Sequence, residues 1–222
     1  MVSIVPKSKE GELPDLKAKV RLRTRGYFVL ALAVVLVLPL GSAALTVDLT
    51  KVSLPKFIAS AALVMLTVFV AAIDSLIGSN AKNVLVFWRW HDPLPGCRAF
   101  TAENLDAESR IDRDRLKELV GGQFPKGTRE QNGAWYKLHK SLVHDMVCQE
   151  LHYHFLLFRD IAWLSVVFLV VFTAEALWLH SPASWAVVGF YVLLYAGFAR
   201  AAANTGHKFV NQVLVTASTR GI

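Results

Sequence analysis

The sequence predicts an all-α integral membrane protein: four transmembrane helices, long cytoplasmic helical extensions, and a small α-helical cytoplasmic lobe between helices 2 and 3. First, 54% of its 222 residues are hydrophobic and only 18% are charged, against about 25% charged in soluble domains. Second, four apolar runs are each long enough to cross a hydrocarbon core of about 30 Å. These runs occupy residues 27–47, 57–77, 161–179 and 185–203.

The first predicted span follows a basic tail, residues 1–26, whose last ten residues contain five Lys or Arg and no acid. Such a cationic flank marks the cytoplasmic side of a bacterial membrane helix. The apolar run is also longer than that of a signal peptide, so we expect a retained helix. The net charge of +7 lies mainly in the two tails. The positive-inside rule explains this excess, and no nucleic-acid partner is expected.

Residues 27–79 are predicted to hold transmembrane helices 1 and 2, and residues 160–203 to hold helices 3 and 4. Three ionisable residues lie in or near these spans, where charge is costly and therefore suggests function. Asp74 and Arg200 lie at the inner ends of spans 2 and 4 and could pair, whereas Glu175 lies near the outer end of span 3.

The segment 80–159 is predicted to form the cytoplasmic lobe. Residues 83–91 could extend the second span until the Pro- and Gly-rich residues 92–96 end it, and 107–120 should form a short polar helix that two glycines stop. Because residues 134–180 contain no Gly or Pro, we expect a continuous rod of about 70 Å that runs from the lobe into span 3. Residues 204–222 are predicted to continue span 4 as a cytoplasmic C-terminal helix.

Aromatic and basic residues alternate where the lobe begins, in FWRWH at residues 87–91. An arginine among aromatic rings and prolines could form a ligand pocket in a cytoplasmic loop. Interfacial tryptophans, or packing against the later aromatic helix, would explain the same pattern. The candidate pocket residues are Arg89, Trp90, His91, Pro93, Pro95, Gly96, Arg98 and Phe100.

A second cluster, His144, Cys148 and His152, has the i, i+4, i+8 spacing of one helical face. An i, i+4 pair can share a metal ion, but about 12 Å separates the first residue from the third. A metal site would therefore need further ligands, and histidines that meet water and lipid headgroups are the alternative. No cofactor is predicted, and cysteines in the cytoplasm should remain thiols.

The sequence contains no nucleophile elbow, P-loop or dinucleotide-binding glycine motif, which disfavours an enzyme. No charge lies at the centre of a span, and the two halves do not look like inverted repeats with broken helices. Both features disfavour a proton-coupled transporter.

Three stretches carry a resemblance: VLVFWRWHDPLPGCRAF (84–100), WYKLHKSLVHD (135–145) and HYHFLLFRDIAWLS (152–165). They resemble small bacterial inner-membrane proteins of four-helix topology, many of unassigned role. The architecture is similar to that of membrane components of anti-phage defence systems, such as the four-helix effectors paired with nucleotide-signalling sensors. The resemblance implies that residues 93–100 form a shared cytoplasmic loop, and it implies no catalytic residue.

These observations predict a non-enzymatic inner-membrane protein with both termini in the cytoplasm. It would couple a cytoplasmic signal or a soluble partner protein to the lipid bilayer, in the setting of anti-phage defence. A lobe of about 80 residues buries little core alone, which favours a homo-oligomer. The alternatives are an ion or small-solute channel or transporter that acts without a partner, and a metal-dependent membrane enzyme that uses residues 144–154.

Overall fold

The computed structural model describes residues 77–180 and 182–220, and every regular element in them is a helix. The basic tail, the first predicted span and Asp74 lie outside the described residues, as does all of the second span except its last residue. A 3-10 turn, Pro95–Arg98, lies between the first two α-helices. In chain order the described α-helices are α1 (Ser79–Phe87), α2 (Ala102–Asp106), α3 (Arg113–Leu119), α4 (Thr128–Ser141), α5 (Met146–Leu179) and α6 (Pro182–Arg220).

Helices α5 and α6 form a long antiparallel pair, of 34 and 39 residues. They extend about 51 Å and 58 Å at 1.5 Å per residue. Both are long and apolar enough to cross a membrane, as judged by length and composition. Within the described residues, the predicted all-helical fold is confirmed, and two helices able to cross a membrane lie at the positions predicted for spans 3 and 4.

The C-terminal half of α6 lies in the main core of the lobe. Val213, Leu214 and Ala217 are fully buried there, against Leu116 of α3 and Trp135 of α4. Burial of each large aliphatic side chain stabilises the fold by about 1.5–3 kcal/mol. The lobe is thus built around α6 and does not enclose a core of its own.

The N-terminal half of α6 packs against the far part of α5. Tyr191 is fully buried between Phe168 and Phe172, with ring centroids 5.6 and 5.2 Å away. The other faces of the pair are exposed: Leu193 is 74% and Trp178 84% accessible. We call the end where α5 stops and α6 starts the tip, and the lobe end the base.

The predicted continuous rod over 134–180 is wrong, because the chain leaves the helix between Ser141 and Met146. The Asp145 carboxylate accepts a hydrogen bond from the Cys148 N–H at 2.9 Å and so caps the start of α5. An N-cap of this kind stabilises a new helix start by about 1 kcal/mol. The break separates α4, which packs on the 3-10 turn and on α6, from the rod Met146–Leu179, which remains continuous.

The predicted helix over 107–120 is also wrong at its start. Asp112 caps α3 by accepting hydrogen bonds from the N–H groups of Asp114 and Arg115, so that α3 begins only at Arg113. Its predicted stop is confirmed: Gly121 and Gly122 have φ values of +97° and +93°, which glycine adopts without strain.

Helix α1 ends earlier than the sequence suggests, at Phe87. Trp88 adopts a left-handed conformation with φ of 54° and donates its N–H to the Val84 carbonyl at 2.8 Å. The chain therefore turns at Trp88, five residues before Pro93, and this turn positions Arg89.

Gly96 provides a test of the packing within the lobe. A Cβ at this position would lie 2.5 Å from Asn132 Oδ1 and 2.9 Å from the Trp135 ring. We expect Gly96→Ala to lower the free energy of unfolding by about 1–3 kcal/mol, as overpacked cores do. The full chain in detergent, unfolded by denaturant and followed by circular dichroism, gives the value.

Gly133→Ala is the matched control, because Gly133 is an exposed position inside α4 with open space around it. Helix propensity predicts a gain of about 0.5–1 kcal/mol for this change. Equal effects of the two substitutions would contradict the close contact at Gly96.

Candidate functional site

Three elements meet at the base: the end of α1, the middle of α6 and the first half of α5. Phe87 lies between Phe155 and His207, with ring centroids 6.0 and 5.8 Å away. Gly206 permits this approach, since a Cβ there would lie 3.0 Å from Phe87 and 3.2 Å from Phe155. The Tyr195 hydroxyl donates to the Leu85 carbonyl at 2.8 Å and joins α1 to α6 directly.

A cavity of about 440 Å³ opens at this junction, and we call it the junction pocket. Its size falls within the range of ordinary small-molecule sites. Alanines form much of the α6 side, while aromatic and basic side chains form the rest. It is lined by residues 86–89 and by Ala196, Ala199, Arg200, Ala203 and His207.

The junction pocket is electrostatically positive. Burial and the nearby Arg98 lower the pKa of Arg89, although Glu103 partly opposes them. Burial first, and then Arg89, Arg98 and Arg200, lower the pKa of His207. Neighbouring cations therefore disfavour the charged forms of Arg89 and His207. Glu103 partly compensates for this effect at both residues.

Arg89 has a further feature that the charges alone do not show. Its Nη1 atom is buried and has no hydrogen-bond partner among the described residues. A buried donor without an acceptor costs about 1–3 kcal/mol, and more when it is charged. The described part of the site therefore offers this nitrogen no acceptor.

The candidate pocket residues predicted from sequence lie in three places: at the junction pocket, on the surface and in the buried core of the lobe. Arg89 lines the junction pocket and Arg98 acts on it through its charge, whereas Trp90 is 83% exposed and His91 is also exposed. The others are buried in the lobe and have packing roles: Pro93, Pro95, Gly96 and Phe100.

Among the predicted membrane charges, Arg200 lines the junction pocket. Glu175 is exposed near the tip. The proposed pair of Asp74 with Arg200 stays a prediction, since Asp74 lies outside the described residues.

The predicted helical face of His144, Cys148 and His152 is wrong, because His144 lies in the turn before α5. Within the described residues, no group of three His, Cys, Asp or Glu side chains is placed to hold a metal ion. Cys97 and Cys148 are both buried thiols. Burial, aided by the Asp92 carboxylate, raises the pKa of Cys97 and keeps it protonated.

His152 instead stacks on His139, with ring centroids 5.6 Å apart, and both rings contact Phe209 edge-on. This stacking was not predicted, because a straight helix would separate residues 139 and 152 by about 20 Å. The break before α5 brings them together.

A cluster of charges near the junction pocket was also missed. The Asp160 carboxylate accepts hydrogen bonds from Arg159 at 2.9 Å and from the buried Lys82 at 3.5 Å. The adjacent Arg159 and Asp160, at the start of the apolar part of α5, are the sequence signal that could have found it. The Lys82–Asp160 ion pair joins α1 to α5, whereas the Arg159–Asp160 pair lies within α5.

A second cavity, of about 460 Å³, lies in the lobe between the end of α3 and α4. Its lining includes one acid, Glu130, and one base, Lys137. Its two lining charges are opposite in sign, whereas Arg89 and Arg200 of the junction pocket are both basic. The junction pocket is therefore the stronger candidate site.

No known protein-family model matches the chain, and no significant match was found among curated proteins or solved structures. A functional conclusion therefore has to rest on the chemistry of the junction pocket and on the placement of the two long helices.

The stacked histidines predict a pH-dependent stability. Burial, followed by His139 and Arg159, lowers the pKa of His152 from 6.5 to about 4. Between these values the unfolded chain binds a proton that the folded chain does not, so the free energy of unfolding falls as pH falls. The stabilisation is fully present above pH 6.5 and its loss across the window is on the order of 3 kcal/mol.

His152→Phe keeps an aromatic ring in the stack and removes the titration. We expect denaturant unfolding of this variant, followed across the same pH window, to show a clearly smaller slope than the wild type. An unchanged slope would mean that other groups cause the acid sensitivity.

Proposed function

We propose that this protein is a non-enzymatic, multi-pass protein of the bacterial inner membrane that couples an event in its cytoplasmic lobe to its spanning helices. The observation that carries the proposal is the double role of α6. Its N-terminal half has the length and composition of a membrane span, and its C-terminal half is central to the lobe core. One continuous helix therefore joins the two parts.

The exposed surface of the helix pair supports a lipid environment. Val170, Val171, Leu177 and Leu193 are all more than half exposed. In water such a surface would favour association, whereas in a bilayer it contacts acyl chains. Trp178 and Trp185 lie near the tip, the location of an interfacial aromatic belt.

The polar boundary lies about 20 residues from the tip on both helices. On α5 it is marked by Arg159 and Asp160, and on α6 by Arg200. The segments between, 161–179 and 182–199, span about 29 and 27 Å. This spacing suits a bilayer with the base and the lobe on the cytoplasmic side, where positive charge is favoured.

Coupling follows from packing across that boundary. The Tyr195 hydroxyl, on the span side of α6, donates to the Leu85 carbonyl of α1. On the lobe side, Phe87 of α1 contacts Phe155 of α5. Packed helices shift between discrete arrangements and do not deform continuously. A ligand or soluble partner that favours one arrangement of the lobe would then also bias the spans.

The remaining parts of the proposal extend the sequence predictions. Two further spans would precede α1, both termini would lie in the cytoplasm, and copies of the chain would form a homo-oligomer. Anti-phage defence is the setting that the resemblance suggests. Lower plating efficiency of a phage panel on cells that express the chain would support this setting, and unchanged plating efficiency would contradict it.

The coupling can be tested from the bilayer side. We expect Tyr191→Ala, which empties a fully buried position between the spans, to increase the labelling rate of the lobe cysteines Cys97 and Cys148 several-fold. The reason is that helix α6 transmits the loosened packing to the lobe core. The measurement is maleimide labelling of the full chain in lipid nanodiscs, followed by mass spectrometry.

Leu193→Ala is the control, because Leu193 belongs to the same span and is 74% exposed. It should leave the labelling rate at the wild-type value. A Tyr191→Ala protein that retains its helical circular dichroism and labels no faster than the control would refute coupling between the spans and the lobe.

A further inference from the structure

We propose that the junction pocket is a binding site for a phosphate group, supplied by an anionic lipid headgroup or by a small soluble phosphate. The inference concerns the pocket's chemistry. Only its lipid source rests on the proposed membrane location.

The first support is an excess of positive charge that comes from separate elements. Arg89 and Arg200 come from α1's end and from α6, and within the described residues neither has an ion-pair partner. The positive charge of Arg98 also acts on the pocket, and the negative charge of Glu103 offsets only part of this positive charge. A cavity that gathers cations from separate elements is suited to an anion.

The second support is the buried guanidinium nitrogen of Arg89, which lacks an acceptor among the described residues. The planar guanidinium presents paired N–H groups that match two oxygens of a phosphate, and such charge-assisted bonds are about twice as strong as neutral ones. A phosphate oxygen near Nη1 would satisfy this donor, and Arg200 would lie across the cavity from it.

The third support is the apolar part of the pocket lining. Phe87 and Trp88 on one side and Ala199 and Ala203 on the other provide apolar walls beside the charged groups. A glycerol backbone or the start of an acyl chain could lie against these walls. Basic pockets between helices at the cytoplasmic surface are where anionic headgroups bind, and Arg200 marks that level on α6.

The test compares Arg89→Gln and Arg200→Gln with Arg115→Gln, which removes the same charge from an exposed position on α3. The full-length protein is studied in nanodiscs of phosphatidylcholine with or without phosphatidylglycerol, and retained lipid is counted by native mass spectrometry. A second arm titrates glycerol 1-phosphate against the protein in pure phosphatidylcholine discs. Thermal stabilisation is the readout of this arm.

If the source is lipid, wild type and Arg115→Gln should each retain about tenfold or more phosphatidylglycerol than Arg89→Gln and Arg200→Gln retain. If the source is soluble, glycerol 1-phosphate should stabilise the same two proteins and not the pocket variants. Arg200 is exposed, so its variant is expected to fold even if Arg89→Gln does not.

Equal responses of Arg200→Gln and Arg115→Gln in both arms would overturn the proposal. The cysteine-labelling experiment on Tyr191→Ala uses no phosphate. The binding site can therefore fail while the coupling stands, and the coupling can fail while the binding site stands.

Discussion

Helix α6 changes its surroundings halfway along its length, and the rest of the described structure depends on that change. Near the tip its side chains are exposed on most faces and packed on α5 along one, where Tyr191 is buried. Beyond Gly206 the lobe covers it, with Val213 and Leu214 fully buried. A helix with one half suited to lipid and the other to a protein core fixes how the lobe sits on the spans.

The sequence predicted those parts of the fold in which hydropathy acts over a whole helix. The apolar runs at 161–179 and 185–203 located α5 and α6, and Gly121 and Gly122 located the end of α3. The break before α5 was not predicted, because no Gly or Pro marks it and Val143 and Val147 extend the apolar pattern across it. Asp145 was the available signal, since an Asp before an apolar run can cap a helix.

In the candidate site, as in the fold, the sequence pattern identified residues within a short stretch and missed contacts between distant parts of the chain. The FWRWH motif drew attention to Arg89, which lines the junction pocket. It could not show that Arg200 and His207, more than 100 residues later, line the same cavity. Nor could it show that Gly96 and Phe100 serve packing, which depends on their contacts with α4 more than 30 residues later.

The central claim is that α5 and α6 cross the bilayer with the tip outside and the lobe in the cytoplasm. The most direct measurement is labelling of single added cysteines in intact cells with a membrane-impermeant maleimide, at His180→Cys and at Arg110→Cys. The native cysteines are buried, which limits background. We expect His180→Cys to react in intact cells and Arg110→Cys to react only after permeabilisation. Reaction of Arg110→Cys from outside, or equal protection of both positions, would contradict the claim.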